Sequence, residues 1–436
     1  MQPITKDVEI MIKKILFGMA AMMSVLAVDA ETVLLQEAKN RAQQFLQQQG
    51  RKGSLTSVES RAAKARGSHD TEAPCYYVFN VGKDEGFVII AGDELAPQVL
   101  GYSNRGSIDM DHLPCNMQEW FEACEAQIRY MRENNIPAVT PQATKRAIAP
   151  LVKVGWDQTA PYNILLPTYT QNGQTGRCAA GCVATAMAQA MSVYRYPDAT
   201  VAAIPSYSYT QSSANKRVNV TGVSAGSTIA WNNIKNTYSG NESSAAKQAI
   251  ATLMQYCGKS VEMWYDASSS ALVADIPKAL KQYFGYSSSV AYKYRNNGYS
   301  FTQWEDMVYN ELDAGRPVIL SGKVADKTTA AGHAFVCDGY DGNGRYHINW
   351  GWSNEGDDYF VLNMLKPSTF GTGGVSGSFN SRVSVTIPPV DVAGIVPVSP
   401  SEVSKFTTKP ELSDRFIVMM MVEPGSKLPS FLSFSP

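Results

Sequence analysis

Cysteine and histidine are the side chains of this sequence best suited to covalent chemistry, and both are scarce. The 436 residues include seven cysteines and four histidines. A thiol attacks as its thiolate, so a nucleophilic cysteine needs a base or a helix N-terminus that lowers its pKa. The only histidines in the C-terminal half are His333 and His347. Any cysteine–histidine pair there must use one of these two rings.

Cys182 lies where an Ala- and Met-rich helix is predicted to begin, directly after Gly181. Unpaired backbone N–H groups at a helix start stabilise a thiolate, and the glycine lets another backbone approach closely. The position of Cys182 alone is equally consistent with a small buried residue that has no catalytic role. Cys178, in the predicted loop before the helix, is the rival nucleophile. Cys257 and Cys337 lie on apolar faces and are predicted to be inert core residues.

The two histidines lie on neighbouring predicted strands. His333 begins an apolar strand, where its ring can face a helix end, whereas His347 lies inside the next strand. A single strand histidine is more often structural than catalytic, so spacing alone does not choose between them. The alternation of side chains along a strand predicts one face with His347, Asn349 and Gly351, and an opposite face with Tyr346, Ile348, Trp350 and Trp352.

The elements that must position these residues follow a helix-then-strand order. Helices are predicted over 182–194, 245–257 and 301–314, and strands over 318–320, 333–337, 346–350, 359–362 and 383–387. A smaller N-terminal unit combines helices over 32–48 and 117–134 with strands over 76–81 and 86–91. Residues 50–73 and 203–243 are polar and predicted as loops. This order is typical of the α+β class.

Composition and the N-terminus restrict partners and location. Lys and Arg total 38 against 39 for Asp and Glu, so a basic surface for nucleic acid is not expected. Lys13 and Lys14 precede an apolar stretch over 15–28 and small residues over 28–30, the pattern of a secretory signal peptide over 11–30. The stretch is too short to span a bilayer. We therefore predict a secreted protein without stable membrane insertion.

Several motifs in the same order resemble the streptopain family of papain-like cysteine peptidases. They are WDQTAPYN at 156–163, GCVATAMAQ at 181–189, GHAFV at 332–336, HINWGW at 347–352 and the glycine-rich FGTGG at 370–374. The N-terminal unit is similar to the inhibitory propeptide of that family at 79–82, 86–89, 92–93 and 100–103. The likeness runs from about residue 32 to 388, most of the chain.

The resemblance implies roles for individual residues. Cys182 would be the nucleophile, His333 its general base and acid, and Gln158 the side-chain amide donor of an oxyanion hole. Asn349 and Trp350 stay equal candidates for the residue that orients the histidine. The substrate-binding residues we expect are Trp352, which would pack against the site, and Gly373 and Gly374, which let a substrate backbone approach.

The same resemblance implies a domain order and an activity. It places an inhibitory propeptide at 31–135, a cleavable linker at 136–147 with a basic pair at 145–146, and a papain-like peptidase domain at 148–388. The expected function is a secreted zymogen of a cysteine endopeptidase that acts on proteins and peptides through an acyl-enzyme, with its own propeptide as intramolecular inhibitor. The tail at 389–436 has no assigned role; surface attachment and sorting are two that remain open.

Two other functions remain open at this point. One is a cell-wall amidase or acyltransferase on the same papain-like fold, and the other is a catalytically inactive secreted binding module. No metal-ligand spacing is evident, and the glycine-rich segment lacks the Lys-Ser/Thr ending of a phosphate loop, so no cofactor is expected. We predict that Cys178 is a free loop thiol, not the partner of Cys182 in a strained disulfide.

Overall fold

The computed structural model describes residues 31–58, 73–139, 145–294, 299–322, 333–364 and 383–386. The predicted signal peptide at 11–30, the tail at 389–436, and Gly373 and Gly374 lie outside these residues. The described chain forms an N-terminal region, 31–139, and a C-terminal region, 145–386.

Helices occupy both regions. They are α1 (Leu35–Gln48), α2 (Cys115–Asn134), α3 (Cys182–Ser192), α4 (Ser244–Ser260), α5 (Ile276–Phe284) and α6 (Phe301–Asp313). The strands are β1 (Leu55–Val58), β2 (Tyr76–Val81), β3 (Phe87–Ala91), β4 (Val99–Ser103), β5 (Thr168–Gln171), β6 (Gln174–Arg177), β7 (Tyr207–Gln211), β8 (Lys216–Val220), β9 (Tyr292–Tyr294), β10 (Val318–Gly322), β11 (His333–Tyr340), β12 (Tyr346–Asn349), β13 (Asp358–Phe360) and β14 (Val383–Thr386).

One antiparallel sheet runs through both regions. Its ten strands follow the order β1-β2-β3-β4-β13-β12-β11-β10-β14-β9. The two regions join where β4 pairs with β13, with Tyr102 opposite Tyr359 and Gly101 opposite Phe360. The rings of Tyr102 and Tyr359 stack with centroids 5.4 Å apart. The N-terminal region thus extends the peptidase-side sheet by strand addition, in which backbone hydrogen bonds supply much of the contact.

The strand β11 separates two hydrophobic cores by the alternation of its side chains. Ala334 and Val336 pack with α3 and the other helices of the C-terminal region. Phe335 and Cys337 face the opposite core, which is shared with α2 and α6. Every residue of α3 from 183 to 191 is buried, because small Ala side chains let this helix lie closely between the sheet and α4. The helix that begins at Cys182 is therefore fixed on all sides.

The helix α2 is buried between the two regions. Its apolar residues Trp120, Phe121, Ile128 and Met131 are at most 2% exposed, and the indole N–H of Trp120 donates to the backbone oxygen of Val361, 2.9 Å away. On the other side of the N-terminal sheet, α1 covers a small core of its own. Removal of the N-terminal region would therefore expose a large apolar surface of the C-terminal region.

The predicted α+β architecture is confirmed, and so are its main helices and strands. The prediction of loops over 50–73 and 203–243 is wrong in part, because β1 and the β7–β8 hairpin lie within them. Both segments are rich in polar residues, so their strands carry a weaker apolar signal than the buried strands of the main sheet. The short helix α5 went unpredicted, although Pro277 in its first turn and the left-handed Gly285 after its end are typical boundary residues.

The junction of the two regions is packed too closely to accept a larger residue in place of Gly101. A Cβ atom there would lie 2.6 Å from Cδ1 of Phe360, so Gly101→Val must push the two regions apart. We expect a loss of about 1–3 kcal/mol in the free energy of unfolding and faster proteolysis of residues 31–139. Denaturation and limited proteolysis of the full chain, with Cys182→Ala to prevent self-cleavage, measure both. Lys83→Ala, an exposed change in the same region, is the control; equal behaviour of the two variants would contradict the packing argument.

Candidate active site

Cys182 is the first residue of α3, and its sulfur lies against β11. Gly181 before it has φ +88°, and a Cβ there would meet the side chain of Met263 at 2.8 Å, so the turn into the helix requires glycine. Burial of the sulfur raises the pKa of Cys182, although the backbone N–H groups of Ala334 and Val183 near it act in the opposite direction and the residue as a whole keeps partial exposure.

His333 begins β11 and precedes Ala334, which packs in the same core as Cys182. Its Nε2 atom lies 3.8 Å from Oε1 of Glu119, and its side chain is 21% exposed. Burial lowers the pKa of His333. The same carboxylate of Glu119 adds to the rise in the pKa of Cys182. One acidic side chain from α2 therefore lies within electrostatic reach of both groups that are candidates for catalysis.

A second residue of α2 contacts the site. The side-chain amide of Asn116 donates to the backbone oxygen of Trp350 over 2.7 Å, and Asn116 is 2% exposed. Asn116 and Glu119 are three residues apart and so share one face of the helix. The sequence analysis missed both residues; their signal is a pair of polar side chains at helical spacing, just before the buried Trp120 and Phe121.

Gln158 lies in the loop that leads towards Cys182. Its backbone oxygen accepts a 2.8 Å hydrogen bond from the N–H of Ala180, and the residue is 6% exposed. The side-chain amide of Asn163 fixes the same loop by donating to the backbone oxygen of Cys178 at 3.1 Å. The predicted amide donor and the predicted nucleophile are thus held in adjoining segments.

Asn349 and Trp350 point to opposite faces of the sheet, as the alternation predicted. The amide of Asn349 is engaged on the α3 side, where its Oδ1 accepts from Gln189 at 2.8 Å and its Nδ2 donates to the backbone oxygen of Val154 at 3.0 Å. Trp350 packs instead on Phe335, with centroids 5.0 Å apart. Trp352 packs partly buried against the same core.

The surroundings of three other cysteines and of His347 are typical of residues with a structural role. Cys178 is a free thiol, as predicted, but it is fully buried, and burial raises its pKa to about 11. Cys257 and Cys337 are buried in the core, which confirms that prediction. Nδ1 of His347 is hydrogen-bonded to Oδ1 of Asp338, 2.6 Å away. Burial alone would lower the pKa of His347, but three surrounding aspartates outweigh it and raise the pKa.

Among the described residues there is neither a cluster of metal-binding side chains nor a helix that could span a membrane. No group of three or more His, Cys, Asp or Glu side chains in the described segments is arranged to bind a metal ion. In the same segments, no helix combines the length and the apolar character needed to cross a membrane.

Known proteins resemble both regions of the chain. Residues 156–360 match the model of the peptidase C10 family, and residues 30–128 match that of the Spi protease inhibitor. Streptopain from Streptococcus pyogenes is 35% identical over 371 residues, which cover 80% of this chain and 90% of streptopain. The thiol protease/hemagglutinin PrtT of Porphyromonas gingivalis is 31% identical over 75% of this chain and 39% of its own length.

A solved structure shares the arrangement of both regions. A prointerpain A fragment from Prevotella intermedia, with a cysteine-to-alanine mutation, superposes with a TM-score of 0.62 at 30% identity, covering 77% of this chain and 98% of that fragment. The family match of the C-terminal region, the inhibitor match of the N-terminal region and this shared fold agree with one another. The chain belongs to the peptidase C10, or streptopain, family, and it is a cysteine protease zymogen with an inhibitor region before the peptidase region.

Proposed function

We propose that Cys182 is the nucleophile and His333 the general base and acid of this protease. The observation that carries the proposal is the position of Cys182 at the start of α3, packed on the core that contains Ala334, the residue after His333. Cys75, Cys124, Cys178, Cys257 and Cys337 are buried, whereas Cys182 is partly exposed. A helix start and an imidazole are the two features that favour a thiolate.

In the active state His333 takes the proton of Cys182, and the thiolate attacks the carbonyl carbon of the substrate. The negative oxygen that forms is stabilised by the side-chain amide of Gln158 and the backbone N–H of Cys182. The imidazolium then protonates the leaving amine, which gives a thioester on Cys182. Water activated by His333 attacks that thioester and releases the acid product. Trp350, which packs on Phe335 two residues after His333, is favoured as the residue that orients the ring over Asn349, whose amide is engaged by Gln189 and Val154.

The N-terminal region inhibits this site within the same chain. Glu119 and Asn116 of α2 lie against it, and burial of the site raises the pKa of Cys182 and lowers that of His333. Both changes favour the neutral thiol and neutral imidazole over the reactive ion pair. Protein and peptide substrates gain access only after α2 leaves. We infer export through the segment at 11–30, so that this release takes place outside the producing cell.

Release requires cleavage in the linker at 136–147. Its basic pair is attached to α6, with Lys145 paired with Asp306 and Arg146 with Asp313, yet the Arg146 side chain remains 68% exposed. A chain cut at the exposed part of this segment keeps its following residues in place, because Ile148 pairs with Tyr340 of β11. Cleavage therefore cuts the connection between the two regions without disturbing the start of the peptidase region.

Loss of the thiol tests the assignment of the nucleophile. We expect the Cys182→Ala chain to stay full length and to leave casein uncut, because no other described thiol can form the acyl-enzyme. Wild-type chain prepared in parallel should shorten to roughly the fragment 147–436. Gel electrophoresis over time measures both, and Cys178→Ala is the matched control. Processing of Cys182→Ala at the wild-type rate would remove Cys182 from this role.

Loss of the amide of Gln158 tests the oxyanion hole. For Gln158→Ala in the processed enzyme, we expect kcat to fall by about 10²–10³, as for other single donors of this kind, with little change in KM. Steady-state cleavage of a peptide amide measures both constants. Gln171→Ala, an exposed glutamine of β5, is the control, and a kcat for Gln158→Ala within twofold of that control would contradict the assignment.

The charge of Glu119 predicts a shift in thiol reactivity. Because its carboxylate raises the pKa of Cys182, Glu119→Gln lowers that pKa and increases the thiolate fraction at any pH below it. We expect iodoacetamide to alkylate the full-length variant several-fold faster than the wild type near pH 8, with the pH–rate profile moved to lower pH. Intact mass spectrometry of the full-length species measures the rate. Glu133→Gln, at an exposed site of the same helix, should react like the wild type; no difference between the two variants would contradict the electrostatic argument.

A further inference from the structure

A buried pair of amide side chains connects the nucleophile helix to the sheet. Nε2 of Gln189 in α3 donates to Oδ1 of Asn349 at the end of β12, across 2.8 Å. Gln189 is fully buried and Asn349 is 3% exposed. A hydrogen bond shielded from water is stronger and holds its partners in a narrower range of positions than one at the surface.

Asn349 extends this connection to a third segment. Its Oδ1 also accepts from the N–H of Gly351 at 3.0 Å, and its Nδ2 donates to the backbone oxygen of Val154 at 3.0 Å. Val154 is four residues before Gln158, and Gly351 lies between Trp350 and Trp352. Three elements therefore meet at one side chain: the helix with the nucleophile, the loop with the amide donor and the turn with the two tryptophans.

The face of α3 that bears Cys182 also bears Thr185 and Gln189, at the spacing of three and seven residues that defines one helix face. The turn after β12 packs directly on this face. Gly351 has φ +78°, and a Cβ built there would lie 3.2 Å from Cγ2 of Thr185 and 3.8 Å from Oε1 of Gln189. The separation between the helix and the turn is thus set at the position of the amide pair.

Gln189 is not the residue that stability alone would select. Its Oε1 is buried and has no hydrogen-bond partner among the described residues. A buried polar atom without a partner is destabilising, and an apolar side chain of the same shape removes that cost. Methionine is such a side chain, and the Oδ1 of Asn349 would keep the N–H of Gly351. The amide of Gln189 therefore holds Asn349 in place but contributes little to the stability of the fold.

We propose that Gln189 and Asn349 are positioning residues for peptide hydrolysis, which hold the Gln158 loop and the tryptophan turn in register with Cys182. The proposal rests on the catalytic roles proposed above for Cys182 and Gln158. Its consequence is specific: loss of the pair misplaces the oxyanion donor relative to the attacking sulfur, so acylation slows while substrate binding and formation of the thiolate are retained. A misplacement of about 1 Å can cost on the order of 10²-fold in rate.

The test compares Gln189→Met with Asn349→Asp and with the double variant. Full chains are processed by a trace of the wild-type enzyme, and kcat, KM, melting temperature and the pH profile of alkylation are then measured. For Gln189→Met we expect kcat to fall about tenfold or more, with KM, melting temperature and alkylation profile close to those of the wild type. Asn349→Asp keeps both acceptor contacts but loses the donor to Val154, and should also lower kcat. The double variant should be no slower than the slower single variant, because the two residues act as one unit.

Gln255→Met is the matched control, since the amide of Gln255 donates to the backbone oxygen of Leu165 in the same region away from the site; it should retain the wild-type kcat. A wild-type kcat for Gln189→Met would overturn the proposal. So would a loss of kcat that accompanies an equal loss of melting temperature, because a purely structural role predicts that pattern. An active Cys182→Ala enzyme would instead overturn the catalytic assignment itself, so the two failures are distinguishable.

Discussion

The structure depends on the cost of a buried charge. A thiolate is unstable in an apolar site beside a carboxylate, and an imidazolium is unstable in an apolar site without a partner anion, whereas the two ions stabilise each other. In the full-length chain the site is buried, and Glu119 of α2 lies 3.8 Å from His333 and adds to the rise in the pKa of Cys182. Under the proposed mechanism, inhibition and catalysis are two protonation states of Cys182 and His333, and the position of α2 selects between them.

The rest of the fold keeps α2 in that position. The inhibitor region is attached through the pairing of β4 with β13, through the stacked rings of Tyr102 and Tyr359, and through the burial of the apolar face of α2. Side-chain contacts strengthen the junction: Oδ2 of Asp358 accepts from the hydroxyl of Ser103 at 3.1 Å and from the N–H of Asn104 at 3.0 Å. Because the attachment is spread over a sheet edge and a helix face, cleavage of the linker alone does not remove the inhibitor region; the exposed chain must also unfold or be degraded.

Much of this arrangement is predictable from the sequence. The helix that begins at Cys182, the strand that begins at His333 and the opposite faces of Asn349 and Trp350 follow from local periodicity, because each is set by side chains near in sequence. The contacts of Glu119 and Asn116 are not predictable in this way. They join residues more than two hundred positions apart, as in the pairing of Asn116 with Trp350, and depend on how α2 docks. For the same reason, the partners of Asn349, which are Gln189 and Val154, were not predictable from the sequence.

The most direct test of this account is the pKa of the Cys182 thiol before and after the inhibitor region is removed. The pH dependence of alkylation, measured by rapid mixing on the full-length chain and on the processed enzyme, gives both values. The account predicts a pKa above that of an ordinary thiol in the full-length chain and a pKa well below it in the processed enzyme, where the imidazolium of His333 is free to stabilise the thiolate. The same pKa in both forms would contradict the claim that α2 silences the enzyme through the ionisation of its nucleophile.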